Sequence, residues 1–159
     1  MSPMFFDAEK LMDRFNGSMT MSKQTKKEVM SIAVKSEKLH EVAEHLKNEM
    51  HFYHLSSITA VDLKSSFELV YHLWNPDDNI LIEITSKIDR KDCVIDSVMD
   101  IWNSANWHER EAYDLFGIIF RGHPEMERLL LPSNFSGYPF RRDFVSKDPP
   151  KMDVKVHYE

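Results

Sequence analysis

Cysteine is nearly absent from this 159-residue chain, where Cys93 stands alone. A single thiol excludes an internal disulfide, and it excludes an iron–sulfur or zinc site built from several thiolates of this chain. Cys93 itself is expected to be a small, partly buried packing residue. Glycine is also scarce, with only Gly17, Gly117, Gly122 and Gly137. The chain has no Gly-x-Gly-x-x-Gly, no Walker loop and no Gly-x-Ser-x-Gly, which argues against a free-standing dehydrogenase, kinase or serine hydrolase. Long apolar runs are missing too. The most apolar stretches, 80–84, 117–120 and 129–131, fall far short of the roughly 18 residues that a membrane span requires. No basic stretch followed by an apolar one opens the chain, so no leader is expected. Basic residues number 20 against 26 acidic ones, for a net charge of −6. They are scattered rather than striped, which argues against a nucleic-acid footprint. The densest basic group, Lys23 to Lys27, is expected to be a solvated turn.

What is present suits one soluble domain: 42% hydrophobic and 29% charged residues. There are no internal repeats or low-complexity tracts. Phe5, Ala8, Leu11, Met12 and Phe15 share one helical face, and Asn16-Gly17 ends that helix. Residues 28–35 read as a strand. Ser36 is placed as the N-cap of a helix to about Met50, with Leu39, Val42, Ala43, Leu46 and Met50 as its apolar stripe. Three strand-like runs follow, at 53–62, 66–75 and 79–88. Their short turn-rich links predict an antiparallel meander. Val98, Ile101 and Trp102 return to helical spacing. A further helix is expected over 106–115, ending near Gly117, and a short one over 124–130 before Pro132. The fold class is therefore α+β, a small antiparallel or mixed sheet packed with helices. A helical segment and an extended C-terminal tail complete it. The boundaries read as 1–27 for a helix and linker, 28–131 for the domain and 132–159 for the tail. Pro132, Pro139, Pro149 and Pro150 mark that tail, which is expected to wrap the domain or a neighbouring chain.

Eight histidines invite a search for metal sites. His40 and His45 are five apart, which turns them about 140° away from each other on a helix, whereas metal ligation needs a spacing of four. His51 and His54 lie at a helix–strand junction without a matching carboxylate. His123 is expected to cap a helix or reach across an interface. No metal site, catalytic group or cofactor site is expected in this chain.

The densest chemistry lies between 107 and 144. Trp107, Glu109, Arg110, Glu111, Tyr113, Asp114, Phe116 and Gly117 fall on one helix and its stop, where Arg110 and Asp114 are i,i+4 neighbours. Arg121, Gly122, His123, Pro124, Arg128, Leu129 and Pro132 follow. Gly137, Tyr138, Pro139, Phe140, Arg141, Arg142 and Asp143 close the set. Arginine and aromatic residues are common interface anchors, and proline preorganises an extended segment at low entropic cost. These residues therefore read as a protein-binding surface. The competing reading makes Glu111, Asp114 and His123 an acid–base site of an independent enzyme. No substrate pocket or cofactor loop in the sequence supports it.

In order and spacing, Trp107-His108-Glu109-Arg110-Glu111-Ala112-Tyr113-Asp114-Leu115-Phe116-Gly117-Ile118 resembles the signature of the complex I 30 kDa subunit family. The same holds for Phe120-Arg121-Gly122-His123-Pro124, for Arg128-Leu129-Leu130-x-Pro132, and for 137–144. This family includes the C subunits of NADH-quinone oxidoreductase and of the deazaflavin-dependent dehydrogenase of methanogenic archaea. Phe135, Phe140 and Arg142 depart from the family's usual tryptophan, leucine and lysine. The resemblance implies a non-catalytic peripheral-arm subunit of a membrane-bound, ion-translocating oxidoreductase. Such a complex passes electrons from NADH or reduced deazaflavin to a quinone-like carrier. The implied partners are a hydrogenase-like large subunit of the 49 kDa type, a cluster-bearing subunit at the quinone site and other peripheral-arm subunits. Iron–sulfur clusters and flavin belong to those partners. The implied location is peripheral, at the cytoplasmic face of the membrane. An equivalent subunit of a membrane-bound nickel–iron hydrogenase, or an assembly adaptor for the large subunit, is the alternative.

Overall fold

The structure, a computed structural model, describes residues 8–26 and 29–146. Helix α1 (Ala8–Arg14) buries Leu11, and the turn after it buries Phe15. Gly17 then takes a left-handed φ of +78°, a conformation open to glycine at no steric cost. Phe5, which the helical pattern also used, lies outside the described residues.

Strand β1 (Met19–Lys26) pairs antiparallel with β2 (Val29–Val34), with Met19 opposite Val34 and Met21 opposite Ile32. This differs from the sequence reading, which gave the segment to a linker and Lys23–Lys27 to a turn. The weak alternation of Met19 and Met21 with Thr20 and Ser22 carries the strand, because pairing with the apolar β2 supplies what its own composition does not. A single 3₁₀ turn (Ser36–Lys38) leads into α2 (Leu39–Asn48). Ser36 is not the N-cap: its hydroxyl lies 3.4 Å from the Glu37 carboxylate, and neither Lys35 nor Lys38 caps through a side chain. Four residues of the expected stripe, Leu39, Val42, Ala43 and Leu46, are buried on this helix, while the fifth, Met50, lies beyond its end at Asn48 and packs half-buried against the core.

Strands β3 (His54–Asp62), β4 (Ser66–Asn75) and β5 (Ile80–Asp89) form the meander. β5 then pairs parallel with β2, which gives a mixed sheet of order β1-β2-β5-β4-β3. Period-2 side-chain alternation puts Phe67, Leu69, Tyr71 and Leu73 with Ile82, Ile84 and Ile88 in the core. The other face carries polar cross-strand contacts, including Ser57 to His72 at 3.1 Å and Ser31 to Glu83 at 2.7 Å. A face of this kind needs no apolar cover.

After the sheet, β6 (Val94–Asp96) and β7 (Ile119–Arg121) form a two-stranded parallel ladder, separated in sequence by α3 (Ala105–Phe116). The helical spacing of Val98, Ile101 and Trp102 produces one turn only, closed by the Val98 carbonyl accepting from the Ile101 and Trp102 amides. Trp102 Nε1 donates to the Phe52 carbonyl at 3.0 Å, tying that turn to the start of the meander. Helix α3 stops at Gly117, whose φ is +71° and whose amide donates to Tyr113 O. No helix forms over residues 124–130, contrary to the periodicity there.

Candidate docking surface

The surroundings of α3 are organised by two buried carboxylates on that helix, Glu109 and Asp114, both 0% exposed. Asp114 Oδ2 accepts from the amides of Leu129, Leu130 and Leu131 at 3.1, 2.7 and 2.8 Å, and Oδ1 accepts from Arg128 Nη1 at 2.7 Å. Those three amides are therefore withheld from a helix, which is why the 124–130 pattern does not become one. Burial alone raises the pKa of Asp114, but the amides and Arg128 outweigh it and hold the carboxyl below the usual range. A carboxylate has about four acceptor sites, and four donors fill them.

Glu109 meets no cation among the described residues. Its Oε2 accepts from Ser97 Oγ at 2.6 Å and its Oε1 from the Val98 amide at 2.8 Å. Burial dominates over these two donors and pushes the carboxyl up to about 7. Tyr71 is held neutral, with its phenol driven up first by burial and then by the charge of Glu109.

Arg128 also donates to the carbonyls of Phe135 and Gly137 at 3.1 and 3.2 Å, folding the tail back over α3. Tyr138 lies against Gly117, where an added Cβ would sit 2.5 Å from its ring. Arg141 Nε donates to Phe116 O at 2.6 Å, and its guanidinium lies 4.8 Å from the centroid of Tyr138 and 5.2 Å from that of Phe67. Asp62, at the end of β3, accepts from Arg90 Nη1 at 2.6 Å and from the Arg142 amide at 2.9 Å, while Arg90 also reaches Asp143 at 2.5 Å. Burial opposes ionisation of Asp62, but Arg90 and the Arg142 and Lys64 amides prevail and lower it to about 2.

Several residues read from sequence as reaching across an interface thus find partners inside the chain. Arg121 pairs with Asp96 at 2.6 Å. Arg110 donates weakly to the Glu127 and Arg128 carbonyls and stacks over Trp107. His123 follows Gly122 (φ +89°) and accepts from the Glu125 amide through Nδ1 at 3.1 Å, closing a turn rather than capping a helix. Burial lowers its pKa. Tyr113, Phe116, Leu129 and Pro139 are half-buried, whereas Pro124 and Pro132 are exposed, as is Arg142, whose amide is nonetheless engaged by Asp62. Residues 133–146 wrap this domain; the rest of the expected tail lies outside the described residues. The structure does not combine Glu111, Asp114 and His123 into an acid–base site. Asp114 is saturated, Glu111 is exposed, and His123 binds its own turn. Asp62 and Arg90 were missed by sequence reasoning. The turn at Leu63–Ser65 was legible, but no local pattern announces that Asp62 before it has a partner 80 residues away.

From Trp107 onward, the exposed large apolar groups available for contact are Trp107, Ile119, Leu130, Phe140 and Val145; Tyr53, Val61, Leu63 and Trp74 are exposed elsewhere on the domain. Among the described residues no three His, Cys, Asp or Glu side chains gather as a metal site, and no helix is long and apolar enough to cross a membrane.

A family model described as the 30 Kd subunit of respiratory-chain NADH dehydrogenase matches residues 32–150. The chain is 36% identical to the C subunit of NADH-quinone oxidoreductase from Citrifermentans bemidjiense, with 92% of each chain covered. It is 38% identical to the C subunit of F(420)H(2) dehydrogenase from Methanosarcina mazei, over 70% of this chain and 72% of that one. Among solved structures it resembles the trypsin-resistant fragment (1–134) of Nqo5, with TM-score 0.63 and 29% identity, covering 74% of this chain and 94% of the fragment. It also resembles a chain of the membrane-bound sulfane sulfur reductase, an archaeal respiratory membrane complex. There the TM-score is 0.76 at 25% identity, covering 86% of this chain and 82% of that one.

Proposed function

The chain belongs to the family of the respiratory-chain NADH dehydrogenase 30 Kd subunit, and we propose that it serves as a peripheral-arm subunit of a membrane-bound, ion-translocating oxidoreductase. Its task is to hold other subunits in place. Electron transfer, flavin and iron–sulfur clusters belong to those partners, and a hydrogenase-like large subunit is the one it docks. The cluster-bearing subunit at the quinone site lies close by, and contact with the membrane runs through the partners. The carrying observation is the likeness to the C subunit of NADH-quinone oxidoreductase, over 92% of both chains. The geometry agrees with a docking role. The polar signature residues are largely spent on fixing one shape, while Trp107, Leu130 and Phe140 project from it. Rigid shelves with exposed aromatic anchors suit stable association, because little conformational entropy remains to be lost on binding. Relatives of both NADH and F(420)H(2) type match, so the identity of the co-purifying input subunit names the electron donor.

The test is affinity purification of the tagged chain from mild-detergent membranes, comparing wild type with Asp114→Ala and Arg141→Ala. The expected result is a complex containing a hydrogenase-like large subunit and iron–sulfur subunits in equal amounts. The variants lower its yield but leave turnover per assembled complex unchanged. Normal yield with lost turnover overturns the non-catalytic role, and purification of the wild-type chain alone overturns membership of a complex.

A further inference from the structure

Between β3 and α3 lies a hollow of about 180 Å³, walled by Ile58 and Ala60 on the strand, Ala112 and Leu115 on the helix, and Phe140 from the tail. Its one charged lining side chain is Glu111, which is exposed and makes no hydrogen bond or ion pair among the described residues. The surrounding carboxylates all have partners: Asp114 has Arg128, Asp62 has Arg90, and Glu109 has Ser97 and Val98. Trp107, also exposed, stands one turn before Glu111 on the same helix. The walls are fixed in advance: Phe140 N donates to Leu115 O at 3.2 Å, and the neighbouring Arg141 holds Phe116 O. A volume of this size falls below the roughly 300–1,000 Å³ of small-molecule pockets. It matches an inserted aliphatic side chain instead, the usual complement of an interface anchor.

We infer that this hollow receives a segment of a neighbouring subunit that inserts one aliphatic side chain between β3 and α3 and sets an Arg or Lys against Glu111. The inference rests on the docking role proposed above and specifies where and by what chemistry docking occurs. Charge complementarity selects the occupant. A lone carboxylate on an apolar rim is penalised when covered unless a cation meets it. An acidic or purely apolar segment would leave Glu111 buried and unpaired. A cation there also supplies register, because it must fall one side-chain spacing from the inserted anchor.

The test uses the purified complex and the isolated chain side by side. Carboxyl groups are labelled with a carbodiimide and glycine ethyl ester, and modification at Glu111 is quantified by mass spectrometry. Glu111→Gln and Glu111→Arg are assembled in parallel, with the melting temperature of each isolated chain as the folding control. Glu111 should react readily in the isolated chain and be protected in the complex. Glu111→Arg should weaken association by at least about tenfold, since like charges at an interface strongly disfavour it, with Glu111→Gln intermediate. Both variants should melt like the wild type. Equal labelling of Glu111 in complex and isolated chain, or wild-type assembly of Glu111→Arg, overturns the inference while leaving the docking role standing. If Glu111→Arg does not fold, the labelling comparison still decides. A wild-type chain that enters no complex removes both.

Discussion

Replacing Glu109 by glutamine should make the isolated chain more stable, and the gain should depend on pH. Glu109 is fully buried, and its carboxyl titrates near 7 against a reference of 4.5. Below pH 4.5 it is protonated whether the chain is folded or not, and its ionisation contributes nothing. As pH rises through 4.5, the unfolded chain loses the proton while the folded chain keeps it. Stability therefore falls by about 1.4 kcal/mol per pH unit until the folded carboxyl also ionises near 7. The full loss is about 3 kcal/mol, a large share of a small domain's net stability. Glutamine resembles the protonated acid: its carbonyl can accept from the Val98 amide and its NH₂ can donate to Ser97 Oγ. His45 and His123, whose pKa values burial lowers, work in the opposite direction below their ordinary value of 6.5, so absolute stability curves will blend the two effects. The difference between variant and wild type isolates Glu109. Urea unfolding of both from about pH 4.5 to about pH 8.5 should give a difference near zero at the acid end, growing to about 3 kcal/mol at about pH 8. A difference that stays constant across this range refutes the reasoning, because it would show that Glu109 does not carry an uncompensated charge.

Gly117→Ala combines a φ of +71° with a Cβ 2.5 Å from the Tyr138 ring, and thermal unfolding should show a loss of about 1–3 kcal/mol. Adding Tyr138→Ala should recover the steric part only, so the double-mutant cycle should be non-additive. Asp114→Ala strands the Arg128 guanidinium and three amides, for an expected loss of about 3–5 kcal/mol by denaturant titration. It should also accelerate tryptic cleavage after Arg128 relative to wild type. Acidification should loosen the tail first: Asp62 titrates near 2 in the folded chain, below its free value of 3.8. The stability it contributes is present above about pH 4 and is lost as pH falls toward about 2. Hydrogen exchange of the Arg142 amide should therefore speed up, relative to the amides of β4, below about pH 4.

The parts of the fold that were legible in the sequence are those where local pattern and tertiary need agree. The apolar stripe of α2, the alternation along β4 and the Gly117 stop of α3 each follow from period and backbone preference alone. Where they disagree, the pattern misleads. Residues 124–130 carry a helical period, yet Asp114 takes the amides and Arg110 takes carbonyls that the helix would use. Strand β1 shows the converse, a segment of weak propensity recruited by an apolar neighbour. Strands β6 and β7 have three residues each, too few to display a period. The candidate site was legible as a set of residues but not as a set of partners. Ion pairs such as Arg90–Asp143 link positions 53 apart, and nothing local encodes that proximity.

That distinction governs how substitutions in this family signature should be interpreted. Asp114, Gly117, Arg128 and Arg141 hold the tail to α3, and Glu109 anchors the helix to the Ser97–Val98 turn, so a substitution that breaks one of these contacts alters the shape of the docking surface before it alters a contact with a partner. A fall in complex yield from Asp114→Ala therefore reports on folding of the shelf and only indirectly on the partner. Glu111, Trp107 and Phe140 are different: they are exposed and, apart from ring contacts and the Phe140 amide, engage little of the chain's own polar structure. If docking follows the proposed route, Phe140→Ala should lower assembly while leaving the isolated chain's melting temperature within about 2–4 °C, as expected for an exposed side chain. Asp114→Ala should lower both together. Finding that Phe140→Ala melts as early as Asp114→Ala would mean that the rim also belongs to the fold, and the partner contact would have to be sought elsewhere on the chain.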